Sequence, residues 1–140
     1  MASTQVLALT PWAPLAGGAL TGKYFKGETG RVTEQSARRN DRNTAIATKV
    51  AELAGALETT SARLALKWTM HKPFTSIPVI GARNAAQMSD SLLCTELTIP
   101  ENMLNELNEV SRIELGFPHD FLASKEVKKV LYGDTQDLIY

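Results

Sequence analysis

The chain has 140 residues, of which 44% are hydrophobic, so it is long and apolar enough for one ordinary globular domain. Its 15 basic and 15 acidic side chains cancel, which argues against a broad nucleic-acid or membrane-surface footprint. No apolar run approaches the roughly 20 residues that span a bilayer, and the single Cys94 excludes an intrachain disulfide framework. We therefore expect a soluble, cytoplasmic protein with no nucleic-acid or membrane partner.

The first predicted elements are a short strand and a glycine-rich loop. Residues 5–9 form a brief apolar run bounded by polar residues and a proline, which is typical of a strand buried on both faces. The loop at 10–24 contains Gly17 and Gly18, where the missing Cβ lets a ligand approach the backbone. Lys23 adds a cation for an anionic group. The pattern predicts a phosphate-binding loop at the carboxyl end of a parallel strand.

A long loop and a helix follow. Residues 23–42 show no helical or strand period and contain six cations and three acidic side chains, so we expect a surface loop that either binds an anion or is simply solvated. A helix then begins near Asn43, with its cap at Asn43 or Thr44. Apolar residues at steps of three and four form its inner face: Ile46, Val50, Leu53, Ala54 and Leu57.

A second helix and a second strand are predicted next. The helix begins at Thr60 or Ser61 and ends at 72–73, with Leu64, Ala65 and Trp68 as its buried stripe. The strand occupies 74–80, although a proline is rare within a central strand. The helix after it begins at Asn84, with Gln87 in a capping arrangement. Its predicted inner face consists of Met88, Leu92 and Leu93.

The carboxyl-terminal part is predicted to be helical. Thr98 and Glu101 have the spacing of a capping box at the start of a helix that reaches Ile113. Residues 116–122 are expected to form an irregular turn, and a short helix at 124–131 should stop at the following glycine. Two histidines and one cysteine show no metal-ligand spacing, so no metal site is expected.

One alternative for the first loop is a nucleoside-triphosphate P-loop. Gly17, Gly22 and Lys23 have the required spacing, but Tyr24 stands where a small hydroxyl must reach Mg²⁺. A P-loop also leads directly into a helix, whereas no helical period begins before Asn43. A nucleotide-binding module of this kind therefore ranks lower but stays open, as does a structural or interaction remnant without a ligand.

Two motifs together resemble the aldo-keto reductases. Residues 11–23, Pro-Trp-Ala-Pro-Leu-Ala-Gly-Gly-Ala-Leu-Thr-Gly-Lys, are similar to the family's seventh barrel strand and its loop, and residues 77–91 to its eighth strand and helix. The resemblance extends over nearly the whole chain and weakens in about the last twenty residues. It implies an α/β fold, namely a fragment of a (β/α)8 TIM barrel with two parallel strands plus helices.

The resemblance also implies a division of the chain, which is expected to be a single unit over 1–140. Strand and cofactor loop would occupy 1–43; two helices, the last strand and the adenosine-binding helix would occupy 44–94; and a helical extension would occupy 95–140. The implied function is the NADPH-binding part of a reductase that converts carbonyls to alcohols.

The first motif would hold the nicotinamide and the phosphates. Trp12 matches the position that stacks on the nicotinamide ring, and Lys23 matches a cation beside the phosphates. Ala13 stands where many members have serine, so one side-chain hydrogen bond is expected to be absent. The implied cofactor-binding residues of this motif are Trp12, Ala13, Pro14, Leu15, Gly17, Gly18 and Lys23.

The second motif would hold the adenosine end of NADPH. Gly81 and Arg83 match the site of the 2′-phosphate, and the helix that follows would favour a phosphate through its dipole. Gln87 and Asp90 match helix positions that touch the adenosine. Ser91 stands where the family usually has asparagine.

Catalysis in this family uses a tyrosine, a lysine, an aspartate and a histidine on early barrel strands, and none of those strands is in this chain. We therefore expect no catalytic residue here, and NADPH binding without turnover by the chain alone. Because two parallel strands do not make a stable sheet, we also expect self-association or the remainder of a barrel as partner. A small carbonyl compound would be the substrate of the complete form.

Overall fold

The computed structural model describes residues 7–22, 40–133 and 135. Lys23, most of the predicted surface loop and the first two residues of the predicted strand lie outside these ranges. Within them the chain forms six α-helices, and none is both long and apolar enough to cross a membrane. The helices are α1 (Asp41–Ala56), α2 (Ser61–Met70), α3 (Ala85–Leu92), α4 (Glu101–Val110), α5 (His119–Ala123) and α6 (Lys125–Tyr132). Two short 3₁₀ segments occupy Ala16–Thr21 and Leu93–Thr95.

Helix α1 begins earlier than its sequence pattern predicts. The Asn40 side chain accepts a 2.8 Å hydrogen bond from the Asn43 backbone amide, so Asn40 is the cap and Asn43 lies inside the first turn. The predicted cap at Asn43 or Thr44 is therefore wrong. The predicted inner face is confirmed, since four of its residues are buried and Leu57 packs against them; the four are Ile46, Val50, Leu53 and Ala54.

The core lies between α1, α2 and α4. Leu64 and Leu107 are fully buried in it, and Ile99, just before α4, closes one side. Trp68 packs at the margin of this core, with its indole Nε1 donating a 3.0 Å hydrogen bond to Asn108 Oδ1. Of the predicted buried stripe, Leu64 and Ala65 are therefore buried, while Trp68 is half-buried and packs against the core. The remaining buried members are Ile46, Val50, Leu53, Ala54, Ala65 and Leu104.

The two predicted strands are present only as two isolated parallel bridges, Leu9 with Ser76 and Trp12 with Val79. The Leu9 amide donates to the Thr75 carbonyl at 2.9 Å, and the Val79 amide to Pro11 at 3.0 Å. The prediction that residues 5–9 form a strand buried on both faces is wrong, because Leu7 is 45% and Leu9 42% exposed. Within the described ranges the two segments pair with each other and have no further strand to cover them.

Pro78 fits this pairing although it cannot donate a hydrogen bond. The amides of Ile77 and Val79, on either side of it, donate to the first segment. In an extended chain alternate amides point to opposite edges, so the missing N–H of Pro78 belongs to the other edge. The proline therefore removes no bond of this pair.

Three predictions about α3 and α4 are wrong. Leu92 and Leu93, expected on the inner face of α3, are exposed, and α3 has no buried residue. The Thr98 capping box does not form, because α4 begins at Glu101 after Pro100 with no side-chain cap. A cap at Thr98 would require a helical Ile99, and a residue before proline is disfavoured from that conformation. Helix α4 also ends at Val110, before the predicted Ile113.

The last part of the chain forms a helical pair. Helix α5 lies where an irregular turn was predicted, so that prediction is wrong. Helix α6 agrees with its prediction, because the Ser124 side chain accepts from the Val127 amide at 3.3 Å and Gly133 follows the last turn. The two helices pack mainly against each other.

Candidate functional site

A cavity of about 810 Å³ lies where the first loop faces the carboxyl end of the second segment and the start of α3. Eleven of the twelve residues predicted to bind a cofactor line it, and the twelfth, Lys23, lies outside the described residues. The eleven are Trp12, Ala13, Pro14, Leu15, Gly17, Gly18, Gly81, Arg83, Gln87, Asp90 and Ser91. Seven further residues line the cavity without having been predicted: Thr21, Ala62, Val79, Ile80, Ala82, Asn84 and Ala86.

The first loop forms its wall in an unusual backbone conformation. Ala13 and Ala16 have positive φ values of 53° and 51°, and Gly17 and Gly18 follow with 69° and 96°. An alanine in this region costs about 1–2 kcal/mol, so the surrounding structure must hold it there. The Ala16 amide donates to Ala13 and the Gly18 amide to Leu15, both at 2.8 Å. Residues 13–21 therefore form a tightly turned segment with a fixed backbone, the curl.

The core supplies the anchor for this curl. Leu15 and Leu20 are partly buried and pack against the apolar cluster between α1, α2 and α4. Thr21 ties the end of the curl by donating from Oγ1 to the Gly18 carbonyl at 2.8 Å. Leu15 thus has a packing role that its predicted place among the cofactor-binding residues did not indicate.

Trp12 combines a fixed backbone with a free ring. Its backbone takes part in the parallel bridge with Val79, while the side chain is 81% exposed and lines the cavity. An indole ring left this open loses the favourable burial that a tryptophan normally has. The arrangement therefore offers a flat apolar surface to a ligand in the cavity.

The start of α3 is closed by two reciprocal hydrogen bonds. The Asn84 side chain accepts from the Gln87 amide at 2.9 Å, and Gln87 Oε1 accepts from the Arg83 amide at 3.0 Å. The predicted capping arrangement is confirmed, with the return bond going to Arg83. These two bonds use the backbone amide and the Oε1 atom of Gln87 and do not involve its side-chain NH₂ group.

Arg83 and Gly81 line the cavity just before the start of α3. Arg83 is exposed, and no carboxylate of the described residues lies within ion-pair distance of its guanidinium. A Cβ built on Gly81 would meet no atom within 4 Å, so the protein's own packing does not require glycine there. An open arginine beside an uncrowded backbone suits an anionic ligand.

Asp90 is held by α2. Its Oδ1 lies 2.7 Å from Arg63 Nη2, and its Oδ2 accepts from Thr60 Oγ1 at 3.0 Å. Sequence reasoning placed Asp90 at the adenosine but missed Arg63 and Thr60 as its partners. No local pattern reveals them, because the contact joins two helices.

Other reactive groups lie apart from this cavity. Burial raises the pKa of the Cys94 thiol, whose Sγ lies 4.0 Å from Met70 Sδ. Cys94 is buried. In the described part of the chain, no three His, Cys, Asp or Glu side chains lie close enough together to hold a metal ion.

Comparison with known proteins found one family model and several oxidoreductases that are similar to this chain. A model of the aldo/keto reductase family matches residues 1–112. An uncharacterized oxidoreductase, YrpG, of Bacillus subtilis is 31% identical over 104 residues, which are 74% of this chain and 32% of that protein. Norsolorinic acid reductase A of Aspergillus parasiticus is 24% identical over 123 residues, 87% of this chain and 31% of the relative.

A third relative has a different kind of name. A probable voltage-gated potassium channel subunit beta of Oryza sativa subsp. japonica is 33% identical over 100 residues, which are 64% of this chain and 30% of that protein. The chain therefore spans about a third of the length of the curated relatives that it matches.

Proposed function

We propose, because this chain belongs to the aldo/keto reductase family, that it is the NADPH-binding portion of an oxidoreductase that reduces carbonyls to alcohols. The family's fold is a (β/α)8 barrel, in which ligands bind at the carboxyl ends of the strands. The observation that supports the proposal best is the cavity itself. Two segments far apart in the sequence meet there, and eleven residues implied by the family resemblance line it.

The groups around the cavity fit NADPH. Its volume of about 810 Å³ lies in the range of small-molecule sites, about 300–1,000 Å³. The exposed Trp12 ring would stack on the nicotinamide, and the curl around Gly17 and Gly18 would follow the pyrophosphate. Arg83 would face the 2′-phosphate. When bound, NADPH supplies the hydride for the reduction.

We expect the 140-residue chain alone to bind NADPH without turnover. The family's proton donor and its tuning residues belong to early barrel strands, so a carbonyl would find no proton source here. The exposed apolar side chains of Leu9 and Val79 support further strands as neighbours, from the remainder of a barrel or from a second copy. The cytoplasmic location stays a prediction that rests on the lone cysteine and on the lack of a long apolar run in the sequence.

The test is a titration of the chain with NADPH, in which binding is measured both by calorimetry and by the change in tryptophan fluorescence. Trp68→Phe should keep the fluorescence response, because Trp68 lies away from the cavity. Trp12→Phe should lose most of the response while calorimetry still detects binding. Absence of heat on adding NADPH would refute the proposal. Mg²⁺-dependent heat with ATP would favour the P-loop alternative, and no heat with either would favour a remnant without a ligand.

A further inference from the structure

Helix α3 is held to the rest of the protein by polar contacts. None of its residues is buried, so apolar packing contributes little to its position. Its main neighbours are α2 and the Leu93–Thr95 segment. Yet α3 supplies one wall of the cavity, and Arg83 and Asn84, which line the same cavity, lie directly before its first turn. The contacts between α2 and α3 therefore determine the position of α3 and of the cavity wall that it forms.

Those contacts converge on Asp90. The Arg63 guanidinium binds it twice, with Nη2 2.7 Å from Oδ1 and Nε donating to the backbone carbonyl at 3.2 Å. Thr60 Oγ1 donates to Oδ2 at 3.0 Å and accepts from the Arg63 amide at 3.2 Å, which also caps α2. Arg63 thus holds both the side chain and the backbone of α3 at one residue.

We propose that Arg63 is a positioning residue for the adenosine wall of the cavity and acts through Asp90. Asp90 is then the residue through which α2 fixes the position of α3. Its contribution to cofactor affinity depends on its contact with Arg63. The inference rests on the proposed function and changes one part of it. It gives Asp90 a positioning role in place of a direct contact with the adenosine, because Arg63 and Thr60 already bind its two carboxylate oxygens and fix their orientation.

The experiment measures NADPH affinity by calorimetry for Arg63→Met, Asp90→Ala and the double variant. Methionine keeps the apolar stem of arginine while removing its donors. We expect each single change to weaken binding about fivefold, and the double change also about fivefold, since contacting residues that act as one unit are not additive. Arg63→Lys should be intermediate, because an ammonium supplies the charge but not the two-pronged geometry.

Lys49→Met is the matched control. Lys49 joins α1 to α4 through Glu106 at 3.4 Å, and its side chain is 28% exposed, as is that of Arg63. The control therefore removes one positive charge and one interhelical ion pair away from the cavity. We expect its NADPH affinity to stay within about twofold of the unsubstituted chain, since surface charges at a distance are screened. All variants are compared at a temperature where circular dichroism shows them folded.

Three outcomes would overturn the inference. If Arg63→Met binds NADPH as tightly as Lys49→Met does while Asp90→Ala binds weakly, Asp90 acts by direct contact. If the double variant loses the product of the two single losses, about 25-fold, the residues act independently. If the unsubstituted chain binds no NADPH at all, the proposed function fails together with this inference. In the first two outcomes the unsubstituted chain still binds NADPH, so the failure of this inference alone can be distinguished.

Discussion

The Val79 backbone amide donates a 3.0 Å hydrogen bond to the Pro11 carbonyl, and this bond sets Trp12 beside Val79 in a parallel bridge. At this bridge the first loop and the segment before α3, which both line the cavity, are joined by backbone hydrogen bonds. The first loop contains the strained curl anchored by Leu15, and the other segment leads to the capped start of α3. Because backbone bonds hold the bridge, its geometry depends little on the identity of the Val79 side chain.

The first prediction concerns Arg83. We expect Arg83→Ala to weaken NADPH binding at least about tenfold and to leave NADH binding nearly unchanged, because charged hydrogen bonds to the 2′-phosphate contribute about 1.5–3 kcal/mol each, less where water screens them. Calorimetry with both cofactors measures this. Arg112→Ala is the control, since Arg112 is an exposed arginine paired with Glu109 away from the cavity. Equal weakening of both cofactors would show that Arg83 supports the fold or the pyrophosphate.

The second prediction contrasts two glycines. Gly55 lies inside α1 with open space around a built Cβ, so Gly55→Ala should stabilise the protein by about 0.5–1 kcal/mol. Gly18 has φ 96°, so Gly18→Ala should destabilise it by about 1–2 kcal/mol. Urea unfolding of both variants gives the two values. A stabilising Gly18→Ala would mean that the curl does not hold its positive φ in solution.

The third prediction concerns the core. Leu107 is fully buried between the helices, so Leu107→Ala should lower the free energy of unfolding by about 2–5 kcal/mol. Val130→Ala is the control on the exposed side of α6 and should change it by less than about 0.5 kcal/mol. Chemical denaturation followed by circular dichroism measures both. Similar losses in the two variants would contradict the assignment of the core.

The fourth prediction concerns Cys94. Burial raises the pKa of its thiol above the ordinary value of 9.0, so less thiolate is present in the folded chain than in an unfolded one. Iodoacetamide should therefore react more slowly with the native chain than with the chain unfolded in urea at the same pH. Equal rates in the two states would refute the buried assignment.

The raised pKa also predicts a pH dependence of stability. The unfolded chain loses the thiol proton first, so this contribution is complete below the ordinary pKa and is lost as pH rises through the folded pKa. Stability measured across the alkaline range should fall less steeply in Cys94→Ala than in the unsubstituted chain. Identical slopes would show that this thiol does not titrate differently in the two states.

Local patterns in the sequence determined the buried face of α1 and the positions of α3 and α6. The spacing of Val50 and Leu53 predicted the buried face of α1, and Asn84 with Gln87 predicted the start of α3. The helix predicted at 124–131 agrees with α6 to within one residue at each end. These features follow from contacts within a few residues, so propensity and spacing suffice to find them. The same reasoning, applied with attention to Pro100, would also have excluded a helix start at Thr98.

Only the tertiary structure decided the burial of the strands and the partners at the cavity. The apolar run ending at Leu9 predicts a buried strand in any context, but exposure depends on which segments lie beside it. Likewise, Asp90 has the same local sequence whether it meets a ligand or Arg63, and the docking of α3 on α2 selects Arg63. The family resemblance of the two motifs predicted that their residues bind the same cofactor. Their distances depend on contacts between segments far apart in the chain, which no local pattern encodes.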